Sequence, residues 1–258
     1  SMIKRLLPYK DLFIVYVWRE FSIRYRQSYI GVLWAVIQPL SMMLLFSFVF
    51  TYLIKANVSE YPKTVFFYSG LLPWTFFASS VNYSLTSLTG NYLLITKIYF
   101  PREILPLSGI VMAFLDYIIA SVIFIPMLLI YHIHITYYAL WMLPLFLLLI
   151  VFTTSMSLLL SSLNVYYRDV KLATGFLIQL LFFASPVLYS IDDLSVKFKL
   201  ILFFNPLTFI IENMRRCLVE GRGVVLWQFV FVSVIVAAFY YLCYRFFIKT
   251  ERDFADVI

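Results

Sequence analysis

The sequence predicts an all-α integral membrane protein with six transmembrane helices, and three observations carry that expectation. Hydrophobic residues make up 63% of the 258-residue chain and charged residues 13%; a soluble domain is about half apolar and about a quarter charged. Mean hydropathy is +0.93. The apolar residues gather into segments of the length, about 20 residues, that crosses a hydrocarbon core of ~30 Å. The net charge of +7, from 20 Lys+Arg against 13 Asp+Glu, therefore speaks to topology and anionic lipid rather than to nucleic acid.

The chain opens with a basic, two-faced stretch. Charges break residues 1–30, so no cleavable signal segment is expected. Over 9–29 the spacing predicts an amphipathic interface helix. Phe13, Val17, Phe21 and Tyr25 recur every four residues on one face, and Glu20, Arg24 and Gln27 share another. Such a helix is expected in the headgroup layer, with its rings in the acyl boundary and its arginines toward phosphate. Gly31 then lets the chain turn into the first span.

The spans are expected at 31–54, 64–88, 107–131, 138–161, 172–190 and 224–248. The second is the most polar, with Ser69, Ser79, Ser80, Asn82, Ser84, Thr86 and Ser87 inside it. Those groups suit either helix packing or a water-facing wall. Asp116 is the one acid expected well inside a span, where it could bond a neighbouring helix or move a proton. Lys and Arg divide thirteen against seven in favour of the side bearing both chain ends, which predicts cytoplasmic termini. No internal repeat or low-complexity linker interrupts residues 1–258, so a single membrane domain is expected.

Two connections have their own punctuation. Residues 91–105 are too short and too broken by Pro101 to span. In 191–223, Asn205 and Pro206 read as an N-cap followed by Pro at the first helical position, and Gly221 as a C-terminal stop. Leu207, Ile210 or Ile211, Met214 and Leu218 make an apolar stripe between them, and Glu212, Arg216 and Glu220 pair at i, i+4. A helix of about fifteen residues with that charge cannot cross; it lies in the interface or dips in and returns.

Catalytic and metal chemistry find little support. The sequence has no G-x-x-x-x-G-K-[ST], so ATP is not expected to bind through a P-loop, and the chain reads as a non-enzyme. His132 and His134 sit at a span end and read as interface residues, not metal ligands. Asp192 and Asp193 are adjacent and read as a cap. Cys217 and Cys243 are too far apart in the expected topology to suggest a bridge.

RYRQSYIGVLWAVIQPL at 24–40, YFPREILP at 99–106, LNVYYRDV at 163–170, SPVLYS at 185–190 and NP at 205–206 together resemble the ABC-2 family of transport permeases. The likeness is to its exporters of O-antigen and related polysaccharides, the Wzm and TagG type. The resemblance implies a homodimer in the bacterial inner membrane with two copies of a separate cytoplasmic ATPase, which holds the ATP and Mg. The cargo it implies is lipid-linked polysaccharide; an exporter of teichoic acid, lipid or drug is the alternative. It also implies a coupling helix between spans 2 and 3 and short gate helices between spans 5 and 6. On that footing Lys97, Tyr99, Phe100, Arg102 and Glu103 are expected to meet the ATPase. Asn205, Pro206, Arg215 and Arg216 are expected at the outer gate, the two arginines meeting a lipid headgroup or substrate phosphate. A sugar chain needs flat apolar platforms and hydroxyls. Phe48 and Tyr52, Trp74 and Phe77, and Phe182 with Tyr189 seven residues on are expected to supply them along the passage.

Overall fold

The computed structural model describes residues 2–26, 30–55, 59–192 and 194–254. Gln27 of the expected interface face and Asp193 lie outside the described residues. Among the described residues there are eleven α-helices and no strand. In chain order these are α1 Met2–Leu6, α2 Lys10–Tyr25, α3 Trp34–Phe48, α4 Lys63–Leu85, α5 Tyr92–Lys97 and α6 Ile104–Ile130. There follow α7 Met142–Tyr166, α8 Val170–Phe183, α9 Val196–Phe203, α10 Pro206–Arg215 and α11 Leu226–Thr250. Four helical runs are long and apolar enough to cross a membrane: Gly31–Leu53, Ile104–Ile130, Tyr137–Tyr166 and Leu226–Asp253.

Helix α4 is equally long at 23 residues but more polar, and its position explains why. It is the central helix, packed by α3, α6, α7, α8 and α10, and most of its side chains are buried. A helix that sees protein instead of lipid can carry hydroxyls, provided they are bonded. Ser69 and Thr75 donate to the Phe66 and Leu72 carbonyls of their own helix (2.8 and 3.0 Å), and Ser84 crosses to the Pro106 carbonyl of α6 (2.7 Å). Ser69, Thr75 and Ser84 thus serve packing, whereas the hydroxyls of Thr64 and Ser80 are buried with no hydrogen-bond partner among the described residues. The crossing is close because position 109 is glycine: a Cβ there would stand 2.9 Å from the backbone nitrogen of Ser84.

Contacts at the two ends of the bundle order the layers. At one end Arg5 meets Glu103 and Glu251, Tyr16 meets Asn91, and Tyr166 meets the Thr250 carbonyl. Both chain ends therefore share a face with the α4–α6 connection. At the other end Lys63 donates to the Phe50 carbonyl (3.1 Å), and Thr136 and Tyr138 close over Gly221 and Gly223.

Two expectations are corrected here. Helix α8 stops at Phe183, seven residues before the expected end, because Pro186 offers no N–H and disfavours helix in the residue before it. Phe182 and Tyr189 therefore do not share a helix face; Tyr189 folds back to donate to the Phe183 carbonyl (3.2 Å). Helix α2 is rotated relative to the expected amphipathic arrangement. Ile14, Val15 and Trp18 are exposed while Tyr16 and Tyr25 are buried, and Arg19 and Arg24 bond protein groups. Helix α10 itself is enclosed by the bundle: every residue from Leu207 to Arg215 is buried.

Candidate functional site

The far face is organised around Arg215, which is 1% exposed. Asn205 caps α10 by accepting from Leu207 N–H (3.1 Å), Pro206 fills the first helical position, and Gly221 ends the segment at φ 64°. That register drives Arg215 into the bundle. Its Nη1 reaches Glu212 Oε2 (3.1 Å), its Nη2 donates to the Pro186 carbonyl (2.7 Å), and its Nε donates to Ser69 Oγ (3.3 Å). The guanidinium also lies 3.8 Å from the Phe66 ring centroid. Gly70 makes room for it, since a Cβ there would stand 2.5 Å from Nη2. One side chain thus fastens α10, the turn after α8 and the start of α4.

Arg216 is placed differently. Its Nη2 pairs with Asp192 at 2.8 Å and its Nε lies 3.2 Å from Glu212 Oε1. Arg215 and Arg216 therefore do not act as a basic pair toward a headgroup or phosphate; neighbouring positions on a helix point about 100° apart, and these two diverge. The turn that follows, Arg216–Glu220, is π-helical, as is Val49–Leu53 at the end of α3. Such turns interrupt the regular ladder and concentrate where helices perform a function.

On the face of the chain ends, α5 stops at Lys97 and the backbone is extended at Ile98 (φ −131°, ψ 136°). Successive side chains of extended backbone point oppositely. Tyr99 is 87% exposed and Phe100 4%. Phe100 joins a small core with Tyr16, Ile95, Ile104, Phe247 and Phe254, so only Tyr99, with Ile98 and Lys97 beside it, is presented outward. Glu103 and Arg102 are likewise used internally. Glu103 pairs with Arg5 at 3.1 Å, and the Arg102 backbone N–H donates to Glu251 Oε1 (3.1 Å) while its guanidinium donates to the Glu251 carbonyl. Burial, helped by the Glu251 carboxylate, holds the Glu103 carboxyl above its ordinary range, with Arg5 and Tyr244 pulling it back. Sequence reasoning missed this clasp because Arg5, Glu103 and Glu251 are scattered over the whole chain.

Asp116 of α6 ties α2 to α4. One carboxylate oxygen accepts from Tyr25 at the end of α2; the other accepts from Tyr83 of α4 at 3.2 Å, with Arg24 3.8 Å away. Every carboxylate contact is to a neighbouring helix, which is the packing role for Asp116.

The six aromatic residues expected along the passage fall into three pairs. Trp74 and Phe77 are buried within the subunit, Trp74 edge-on to Phe182 (5.3 Å between centroids) and Phe77 stacked on Phe152 (5.8 Å). They are core rings with no open face. Phe48 and Tyr52, 5.2 Å apart, are both more than half exposed. Phe182 is half-buried between α3 and α4, and Tyr189 sits in the turn below Arg215.

Membrane-length apolar helices around a polar central helix, with an ionic clasp at one face and a buried arginine fastening a short helix at the other, define an integral membrane protein of several passes. The chain belongs to the ABC-2 type transporter family, whose model matches residues 11–219. It is 32% identical over 244 residues to the O-antigen export system permease protein RfbA of Klebsiella pneumoniae, covering 92% of this chain and 93% of that one. It is 31% identical over 228 residues to the protein of the same name from Myxococcus xanthus (86% and 85% covered). The polysialic acid transport protein KpsM of Escherichia coli is 23% identical over 208 residues, 79% of each chain.

Proposed function

We propose that this chain is the permease subunit of a bacterial inner-membrane ABC exporter of lipid-linked polysaccharide, O-antigen being the best-supported cargo. The observation that carries the reading is the end-to-end similarity to O-antigen export permeases, which covers nine-tenths of both chains in one case. Two copies form the channel, and two copies of a separate cytoplasmic ATPase bind and hydrolyse MgATP. All six of α3, α4, α6, α7, α8 and α11 cross the bilayer, α8 with the help of the turn at 184–190. Both termini face the cytoplasm, in keeping with the thirteen-to-seven division of basic residues.

Helices α3 and α8 bury the least of their surface within the subunit, so they are the natural walls of a passage between two copies. Phe48 and Tyr52 offer rings there, while Trp74, Phe77 and Phe182 form the packed layer behind them. Weak, repeated contacts of this kind suit a polymer that must keep moving. The segment 191–223, closed by Arg215, is the outer gate.

Tyr99 carries the contact with the ATPase. Tyr99→Ala is expected to weaken co-purification with the ATPase by about tenfold or more, the usual effect of removing an exposed aromatic anchor, with an unchanged melting temperature of the permease. Phe100→Ala instead is expected to destabilise the permease by ~3–5 kcal/mol, because it empties a core site. A Tyr99→Ala strain that exports at the normal rate removes residues 97–99 from the coupling surface. Deletion of the chain tests the function itself: loss of surface polysaccharide with accumulation of lipid-linked polymer inside the cell is expected, and normal surface polymer rejects the reading.

The passage predicts a contrast between aromatic positions. Phe48→Ala with Tyr52→Ala is expected to slow export with little change in stability. Trp74→Ala is expected to lower stability by ~3–5 kcal/mol, as for a buried ring. Equal melting temperatures for the two variants would mean that the burial described here does not distinguish wall from core.

A further inference from the structure

Between α2 and the ends of α4 and α6, on the face that carries both chain ends, lies an open cleft of about 400 Å³. Its size falls within the usual range for small-ligand sites, about 300–1,000 Å³, and exceeds what a lone phosphate fills. Arg19 and Arg24 of α2, Asn82 of α4 with Thr86 just beyond its end, and Ser108 with Gly109 of α6 line it.

Both guanidinium groups are held in position yet keep donor capacity. Arg24 lies over the Tyr83 ring, its Cζ 4.0 Å from the centroid. Its carboxylate neighbour Asp116 is 3.8 Å away, longer than the ~2.7–2.9 Å of a charge-assisted hydrogen bond. Arg19 donates from Nη2 to Asn91 Oδ1 (2.6 Å) and Glu20 (2.9 Å) and from Nη1 to Tyr16 Oη (3.2 Å), which leaves one Nη1 N–H open, while its Nε is buried with no hydrogen-bond partner among the described residues. Glu20 is the one carboxylate lining the cleft, and Arg19 already engages it. The remaining polar lining consists of hydroxyls and amides, groups that bond a sugar without repelling a phosphate. Ile23, which lines the cleft, is exposed and lies beside Arg19 on α2, so a lipid tail meets an apolar side chain where it leaves the cleft.

We propose that this cleft binds the phosphorylated headgroup of the lipid-linked substrate, with Arg19 and Arg24 on the phosphate and the amide and hydroxyl wall on the first sugar. The proposal rests on the export reading above and adds to it the place where the cargo is recognised. Ordinary anionic phospholipid shares the phosphate chemistry, but it makes no use of the sugar-sized remainder of the cleft.

Gly90 gives a clean probe. It lines the cleft, and a Cβ placed on it would meet nothing within 4 Å, so a side chain there fills the cleft without disturbing the fold. The experiment uses the permease–ATPase complex in nanodiscs and measures binding of a synthetic polyprenyl-diphospho-N-acetylglucosamine, with phosphatidylglycerol as competitor. Gly90→Glu is expected to weaken binding about tenfold or more, as for the loss of one charge-assisted contact, while Gly90→Ala binds normally and both melt like the parent. Arg24→Gln, a second variant, should weaken binding by a similar factor. Unchanged binding by both Gly90→Glu and Arg24→Gln overturns the proposal. Displacement of the probe by equimolar phosphatidylglycerol overturns its assignment to substrate and makes the cleft a phospholipid site. Export in cells separates the two levels: a deletion strain that still exports rejects the function, whereas a deletion that abolishes export together with a Gly90→Glu strain that exports normally rejects the cleft alone.

Discussion

Arg215→Met is expected to release the segment that closes the far face of the bundle, with a loss of stability of about 3–5 kcal/mol, the usual cost of breaking a buried ion pair by removing one partner. Methionine fills much of the same volume but donates nothing. Glu212 would keep only the half-buried Arg216, and the Pro186 carbonyl and Ser69 hydroxyl would lose their donor in a dry setting. The readout is built into the chain. Cys217 is a buried free thiol two residues beyond Arg215, so a maleimide should leave it unlabelled in the parent and label it in the variant, in a Cys243→Ser background. Arg215→Lys should fall between, because one ammonium cannot reproduce a planar fork spread over Glu212 and a carbonyl. Gly70→Ala approaches the same contact from α4, where the added methyl displaces Nη2, and should also expose Cys217. An Arg215→Met protein with parental melting temperature and an unlabelled Cys217 would show that the arginine fastens nothing.

Asp116→Ala is expected to free the end of α2 from the bundle. The carboxylate accepts from two tyrosines on different helices, and hydrogen bonds to a charged group are worth ~1.5–3 kcal/mol each, so a loss of ~3 kcal/mol or more follows. Asp116→Asn keeps an acceptor but no charge for Arg24, and about half that loss is expected. Hydrogen exchange along residues 10–26 measures the effect directly: amides of α2 should exchange faster in the alanine variant, while those of α7 and α11 keep their protection. Uniform protection in all three helices would mean that Asp116 does not hold α2.

Much of the chain's length is written in its hydropathy. Runs of apolar residues mark the stretches of chain in which α3, α6, α7 and α11 form, because a bilayer imposes a minimum length and a uniform polarity on whatever meets it. Local punctuation is equally legible. Asn205, Pro206 and Gly221 cap and stop the helical segment that begins with α10 where their chemistry demands, and Pro101 keeps α5 from running into α6. These features depend on near neighbours in sequence.

The direction in which a ring or a charge points is a different matter, since it depends on partners far along the chain. The pattern of α2 placed Phe13, Val17, Phe21 and Tyr25 on the apolar side. Arg19 and Arg24, still partly exposed, are instead held against the bundle by Asn91, Tyr83 and Asp116. Trp74 and Phe77 looked available for a passage, yet α4 sits at the centre of the bundle, so its rings are core.

The sequence by itself determined that this chain lives in a membrane, roughly where its apolar helices begin and end, and to which family of permeases it is similar. Only the tertiary structure decided that Arg215 is a buried fastener instead of a surface cation, that Phe100 and Glu103 are internal while Tyr99 is offered outward, and that Arg19 and Arg24 share a cleft. The physical reason is separation along the chain. Hydropathy and capping are summed over a few adjacent residues, whereas Arg215 meets Ser69 across 146 positions and Arg5 meets Glu251 across 246, pairings that exist only once the helices have packed.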